Sequence, residues 1–208
     1  MAVAGFLATG VTAQTISTTP AGGLGIRAGV NFQNINGKDM SGNDLKNDMM
    51  TGFHAGLTAD LPLGPSFVLQ PGVLYSLKGA EIMNDTKIKL SYIEVPLNFI
   101  YKPALGTGSL LLGAGPYVAF GINGKMDGPG SNSTDVEFTS DFDANNTAPQ
   151  FKRFDAGANL LAGYEFLNKL SFQINAQLGL AEINPTMPGN DQSKWKNTGF
   201  GLSLGYKF

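Results

Sequence analysis

The sequence contains no cysteine, one histidine and one tryptophan among its 208 residues. Without thiols there is no disulfide framework and no cysteine-based metal site, although that absence does not fix the compartment. Charge is also scarce. Asp, Glu, Lys and Arg make up 14% of the chain, against about 25% in ordinary soluble domains. The formal net charge of −2 argues against nucleic acid as the main partner. No stretch approaches the roughly 18 consecutive apolar residues that a spanning helix requires. The length suits one domain and is too short for two well-built ones.

What the sequence does have is glycine, 28 residues of it, and a persistent alternation of apolar and small polar residues. The opening "MAVAGFLATGVTAQ" is small and apolar, with a small-x-small pattern at Val11-Thr12-Ala13. It reads as a secretory signal peptide over residues 1–13, truncated because no Lys or Arg precedes Arg27. Residues 14–23 then form a linker, and 24–208 the folded domain.

From Leu24 onward the period is two. "LGIRAGVNF" sets Leu24, Ile26, Ala28, Val30 and Phe32 against Gly25, Arg27, Gly29 and Asn31, and seven further segments alternate in the same way, down to the closing "TGFGLSLGYKF". Such alternation predicts strands. The connections after the second, fourth and sixth strands are short ("PLGP", "PALGTGS", "LNK"). Those after the first, third, fifth and seventh read as longer and polar, the longest spanning about Asn123 to Gln150. This is the layout of a membrane barrel, with short periplasmic turns and long outer loops.

The apolar rows carry no charge over a length that suits a tilted membrane strand, whereas one Lys or Arg at the bilayer midplane costs about 2–4 kcal/mol. The opposite rows hold the small residues that a narrow lumen accepts. Aromatics mark both row ends: Phe67, Tyr101, Tyr164, Phe166, Tyr206 and Phe208 toward the short turns, and Phe32, Phe53, Tyr75, Phe120, Phe154 and Phe200 toward the long loops. Two girdles at bilayer interfaces account for that distribution. The expected fold is therefore all-β, an eight-stranded antiparallel up-and-down transmembrane barrel. Its last strand pairs with its first, because hydrocarbon tolerates no open sheet edge. Pro71, Pro96 and Pro116 lie inside proposed strands, where each removes a ladder donor, and bulges are the expected accommodation.

"GIRAGVNF", "LQPGVLYSLKG", "YIEVPLNFIYK", "GAGPYVAFG" and the closing "GYKF" together resemble the PorT-type, porin-like outer-membrane barrels of Bacteroidota. The resemblance covers roughly Gly25 to Phe208 and implies a location in the outer membrane. It also implies that Tyr206 and Phe208 resemble the signal read by the outer-membrane assembly machinery. Members of that family differ in role, and PorT itself is associated with a protein secretion apparatus.

The inward rows place ionisable residues in two tiers. His54, Lys78, Glu94, Arg153 and Asp155 lie toward the long loops; Arg27, Asp60, Lys102, Glu165 and Lys207 lie toward the short turns. Neighbouring strands bring Arg27 within reach of Asp60, and Lys78 of Glu94. A plug of mutually paired charges is expected, in preference to a conduit, because barrels of this size are filled by side chains. His54 reads as structural: spacing gives no Ser-His-acid set, and no catalytic residue, cofactor or metal is expected. The polar loops offer clustered oxygens that could hold Ca²⁺ weakly, and solvated loops are the simpler reading. The expected role is that of a structural or accessory envelope component. It would contact outer-membrane lipid and a larger outer-membrane protein complex or external ligands through its loops or wall. A narrow porin-like channel is the second reading and a lipid-modifying enzyme the third.

Overall fold

The computed structural model describes residues 22–82, 86–129, 132–189 and 191–208. The expected signal peptide, 1–13, lies outside those residues, as does all but the end of the 14–23 linker.

Eight long strands close into one antiparallel barrel: β1 (Gly23–Lys38), β2 (Met50–Gly64), β3 (Phe67–Ile82), β4 (Thr86–Tyr101), β5 (Gly108–Asp127), β6 (Phe154–Glu165), β7 (Leu170–Gly179) and β8 (Lys194–Lys207). Each pairs with its neighbours in sequence, and the seam joins β1 to β8 in a continuous register from Gly25↔Lys207 to Lys38↔Lys194. The closing strand therefore has a partner on both sides, and the ring leaves no edge to be met by hydrocarbon.

The apolar rows face outward. Leu24, Ile26, Phe53, Leu57, Val118, Leu160, Ile174 and Leu204 are all exposed, while Asn31, Gln33, Asn98, Asn159 and Gln173 are buried in the bore. This inverts a soluble protein and fits a lipid solvent. Aromatic pairs mark the two rims: Phe32 with Phe200 (5.0 Å) and Phe53 with Tyr75 (5.5 Å) near the outer end, and Phe67 with Tyr101 (5.2 Å) and Tyr164 with Phe166 (5.0 Å) near the short turns.

Three features depart from the expected layout. The third connection is not long: β3 and β4 continue as a hairpin to the pair Ile82↔Thr86. Likewise β5 runs on to Asp127, opposite Lys87, into what reads as loop in the sequence. Strands of 16 to 20 residues exceed the roughly 9–11 a membrane crossing needs, so the barrel stands well proud of the bilayer. The third is the place of the expected bulge, which lies away from the prolines. Ser91 pairs with Asn123 but Tyr92 pairs with Gly121, so Ile122 is extra and the facing of β5 inverts beyond it. Pro71 and Pro96 are absorbed without a shift. The β3–β4 register is the same at Pro71↔Leu97 and Leu74↔Glu94, with no pairs between Gly72–Val73 and Val95–Pro96.

Candidate functional site: the filled bore

Glu94, Ala119 and Asp155 lie in one row across β4, β5 and β6. Lys78 reaches down to that row from β3, its ammonium 2.9 Å from Glu94 Oε2 and 3.2 Å from Asp155 Oδ2. The same ammonium sits 4.2 Å from the centroid of the Tyr117 ring and 5.5 Å from that of Tyr92. Asp155 also accepts hydrogen bonds from Asn197 Nδ2 (3.0 Å) and the Tyr117 hydroxyl, and Glu94 Oε1 accepts one from Gln177 Nε2 (2.7 Å). Lys78 and Asp155 are wholly removed from solvent. Two carboxylates and two ring faces thus surround one buried cation, and two amides donate to the carboxylates, the condition under which buried charge is tolerable.

Below this tier, a neutral chain crosses the bore. His54 Nδ1 donates to Asn31 Oδ1 (2.6 Å), which can only accept, and Nε2 meets the Ser203 hydroxyl at 2.7 Å. Asn31 Nδ2 continues to Ser76 Oγ (3.4 Å), and Ser203 Oγ lies 3.3 Å from Asn175 Oδ1. Ser203, His54 and Asn31 stand in the order nucleophile, base and orienting group. The groups are 2%, 5% and 2% exposed, however, so a scissile bond has no approach to the hydroxyl from solvent.

The lower tier is a ring of four charges. Lys102 Nζ lies 2.6 Å from Glu165 Oε1 and 3.8 Å from Asp60 Oδ2; Lys207 Nζ lies 2.9 Å from Glu165 Oε2 and also pairs with Asp60. Gln70 Nε2 donates to the other Asp60 oxygen at 2.7 Å.

Arg27 is not paired with Asp60, contrary to the expectation from strand adjacency. The β1–β2 register sets Gly56 opposite Arg27 and Gly23 opposite Asp60, which separates the two by four residues along the strands. Lys102 and Lys207 take the carboxylate instead. Arg27 is buried with no ion pair among the described residues, and its Nε lacks a hydrogen-bond partner. It lines a cavity of about 20 Å³ together with the ring residues, space for about one water. Across the bore Arg27, Lys78, Lys102 and Lys207 face Asp60, Glu94, Asp155 and Glu165. Cations and carboxylates balance, with one surplus positive charge below and one surplus negative charge above.

Arg153 is a second correction: it is not a lumen residue. The chain breaks from β-pairing just before β6, which turns the side chain out to the surface. There its guanidinium stacks over Phe120 and Phe138 (5.4 and 5.0 Å) and donates to the Gly121 carbonyl (3.1 Å). Sequence reasoning also missed Tyr92, Tyr117, Gln177, Asn197 and Ser203 as working members of the bore. Strict alternation places all five inward.

Both ends of the bore are apolar. Ile35, Ala80, Ile88, Leu90, Tyr92, Tyr117 and Ala119 from the strands close the outer end together with Val136, Phe151 and Ile183 from the loops. The loop residues are pinned by backbone bonds, Val136 N to Gly124 O (2.9 Å) and Ile183 N to Trp195 O (2.8 Å) among them. Val68, Ile100, Leu111 and Leu161 pack together near the short turns. Among the described residues no group of three or more His, Asp or Glu side chains could hold a metal ion.

No curated protein sequence matches the chain. Among solved structures it is similar to Neisserial surface protein A, at 13% identity and a TM-score of 0.50, covering 91% of this chain and 100% of that one. It is also similar to the outer membrane protein OprG of Pseudomonas aeruginosa, at 15% identity and a TM-score of 0.51, covering 93% and 99%. At such identities these likenesses speak for the fold. Residues 13–184 match the model of the outer membrane protein beta-barrel domain, most of the sequence. The chain therefore belongs to the outer membrane protein beta-barrel domain family and is a protein of the bacterial outer membrane.

Proposed function

We propose that the protein works from its outer surfaces, as a structural or accessory component of the outer membrane whose loops and wall contact other envelope proteins or external ligands. The observation that carries this reading is the stacked filling of the bore. An apolar cap, the Lys78 tier, the His54 chain and the Lys102–Lys207 ring succeed one another, and the cavity beside Arg27 has room for about one water. A solute would have to break buried ion pairs at two levels, each break costing about 3–5 kcal/mol. The burial of Ser203 and His54 supports the further reading that the protein is not an enzyme.

That role does not depend on the subfamily, for which "LQPGVLYSLKG" and "YIEVPLNFIYK" support placement in the PorT-type, porin-like group of Bacteroidota. Tyr206 and Phe208 turn their rings outward at the inner rim, 5.8 Å apart, where the assembly machinery would read them. Purification from native membranes under mild detergent should bring down a stable larger complex. In a planar bilayer the purified barrel should pass no steady unitary current. Such currents would overturn this reading in favour of the narrow channel.

A further inference from the structure

Lys38 and Lys194 stand directly opposite each other at the top of the β1–β8 seam, and Lys196 stands opposite Asn36 one step below. Like charges facing each other across a ladder are destabilising. Lys38 is partly compensated by Asp44 (3.1 Å). Lys194 and Lys196 have no ion pair among the described residues. All three flank an open cleft of about 410 Å³ completed by Asn36, Gly37, Asp44 and Leu45.

The height of this cleft decides what it meets. Along the outward face of the seam the sequence descends from Lys38/Lys194 through Asn36/Lys196 and Asn34/Thr198 to Phe32/Phe200, the stacked pair of the outer girdle. The step from Lys196 to Phe200 is about 13 Å along a strand and roughly 9 Å along the bilayer normal at a tilt of about 45°. Girdle aromatics sit at the interface, so Lys196 stands at the level of lipid headgroups, with Lys38 and Lys194 one step of about 5 Å higher along the normal. Below the girdle the same sector offers an apolar groove lined by Ala28, Ala55, Leu57 and Leu204.

The opposite side of the barrel is a built-in comparison. Lys89 and Lys125 also face each other across β4 and β5. There, however, Lys89 is paired with Asp127 (2.7 Å), Lys87 with Glu81 (3.2 Å), and Asp135 lies across from Lys125. Each lysine of this cluster has a carboxylate beside or across from it, whereas in the seam cluster only Lys38 does.

We propose that Lys38, Lys194 and Lys196 form a binding site for the phosphate groups of a phosphorylated glycolipid of the outer leaflet, whose acyl chains descend along the β8–β1 wall. The test uses the refolded full-length barrel in neutral detergent, with binding read by native mass spectrometry. Three probes are compared: diphosphorylated lipid A, the same lipid stripped of phosphate, and inorganic pyrophosphate. The phosphorylated lipid should bind best. Lys194→Gln with Lys196→Gln should weaken it about thirtyfold, at roughly fivefold per lysine near an anionic surface. Lys89→Gln with Lys125→Gln should leave it unchanged. Heat-modifiability on a gel verifies that each variant is a closed barrel. Equal binding of the stripped lipid, no loss in the Lys194/Lys196 variant, an equal loss in the Lys89/Lys125 variant, pyrophosphate binding as tightly as the lipid, or no binding at all would each overturn the proposal.

Discussion

Gly29 lies flush against the imidazole of His54. A Cβ built on the glycine would come within 2.7 Å of His54 Cε1 and would collide with the backbone carbonyl of Leu202. The two residues are cross-strand partners on β1 and β2, so the histidine occupies the bore because its neighbour has no side chain. Gly29→Ala should therefore destabilise the barrel by about 1–3 kcal/mol, the usual cost of overpacking, since a backbone oxygen cannot swing aside as a side-chain tip can. Gly64, with nothing within 4 Å of its would-be Cβ, is the control, and Gly64→Ala should be neutral. Urea unfolding of the barrel in lipid vesicles measures both.

Leu160 is 62% exposed, near the middle of β6 between Phe154 at one rim and Phe166 at the other. On a wall that faces hydrocarbon, Leu160→Lys costs about 2–4 kcal/mol, whereas a lysine near an interface costs roughly 0–1. Leu167, in the short turn after β6 and 80% exposed, supplies the interfacial comparison. The expected outcome is a large loss of unfolding free energy for Leu160→Lys and almost none for Leu167→Lys. Equal, small effects would mean that the wall faces water.

The two tiers of charge should respond differently to neutralisation. Lys78→Met strands Glu94 and Asp155 in a dry interior and should cost about 3–5 kcal/mol. Adding Glu94→Gln and Asp155→Asn should recover much of that loss, because no unpaired charge then remains. Arg27, which has no ion pair among the described residues, should tolerate Arg27→Met with little loss or a gain. Equilibrium unfolding midpoints of the three variants decide the matter. A loss for Arg27→Met as large as that for Lys78→Met would show that the surplus positive charge below depends on the surplus negative charge above.

Strand number, facing and closure were legible because the solvent on each side of the wall imposes a period of two that no other constraint interrupts. The contacts inside the bore show where legibility ended. Tyr92 and Tyr117 face inward as parity requires, yet their partner Lys78 is set by the stagger between strands, which alternation does not encode. The same stagger gives Asp60 to Lys207 and Lys102 and denies it to Arg27. Arg153 keeps its parity with Asp155 in the sequence but leaves the bore because backbone pairing stops before it. The outer ends of β3, β4 and β5 read as loop because they have left the membrane. Their outward faces are free to carry Lys87, Lys89 and Lys125, and the bulge at Ile122 inverts the pattern in β5.

Ser203 and His54 offer the sharpest test of the non-enzymatic reading. Their 2.7 Å contact, with Asn31 at 2.6 Å on the far imidazole nitrogen, is the spacing a nucleophile and its base would need. Function would further require a path for substrate and a site about 3 Å from the hydroxyl where a reacting carbonyl could rest. Leu202 and Ser203 backbone atoms already crowd Gly29 on that side, and Asn175 Oδ1 occupies another, 3.3 Å from the hydroxyl. A fluorophosphonate probe added to the folded barrel in detergent or in lipid vesicles should therefore leave Ser203 unmodified, as read by peptide mass spectrometry. His54→Ala should change the unfolding midpoint and no hydrolytic rate. Stoichiometric labelling of Ser203 that disappears in His54→Ala would mean that the bore opens and that the buried chain is a working active site.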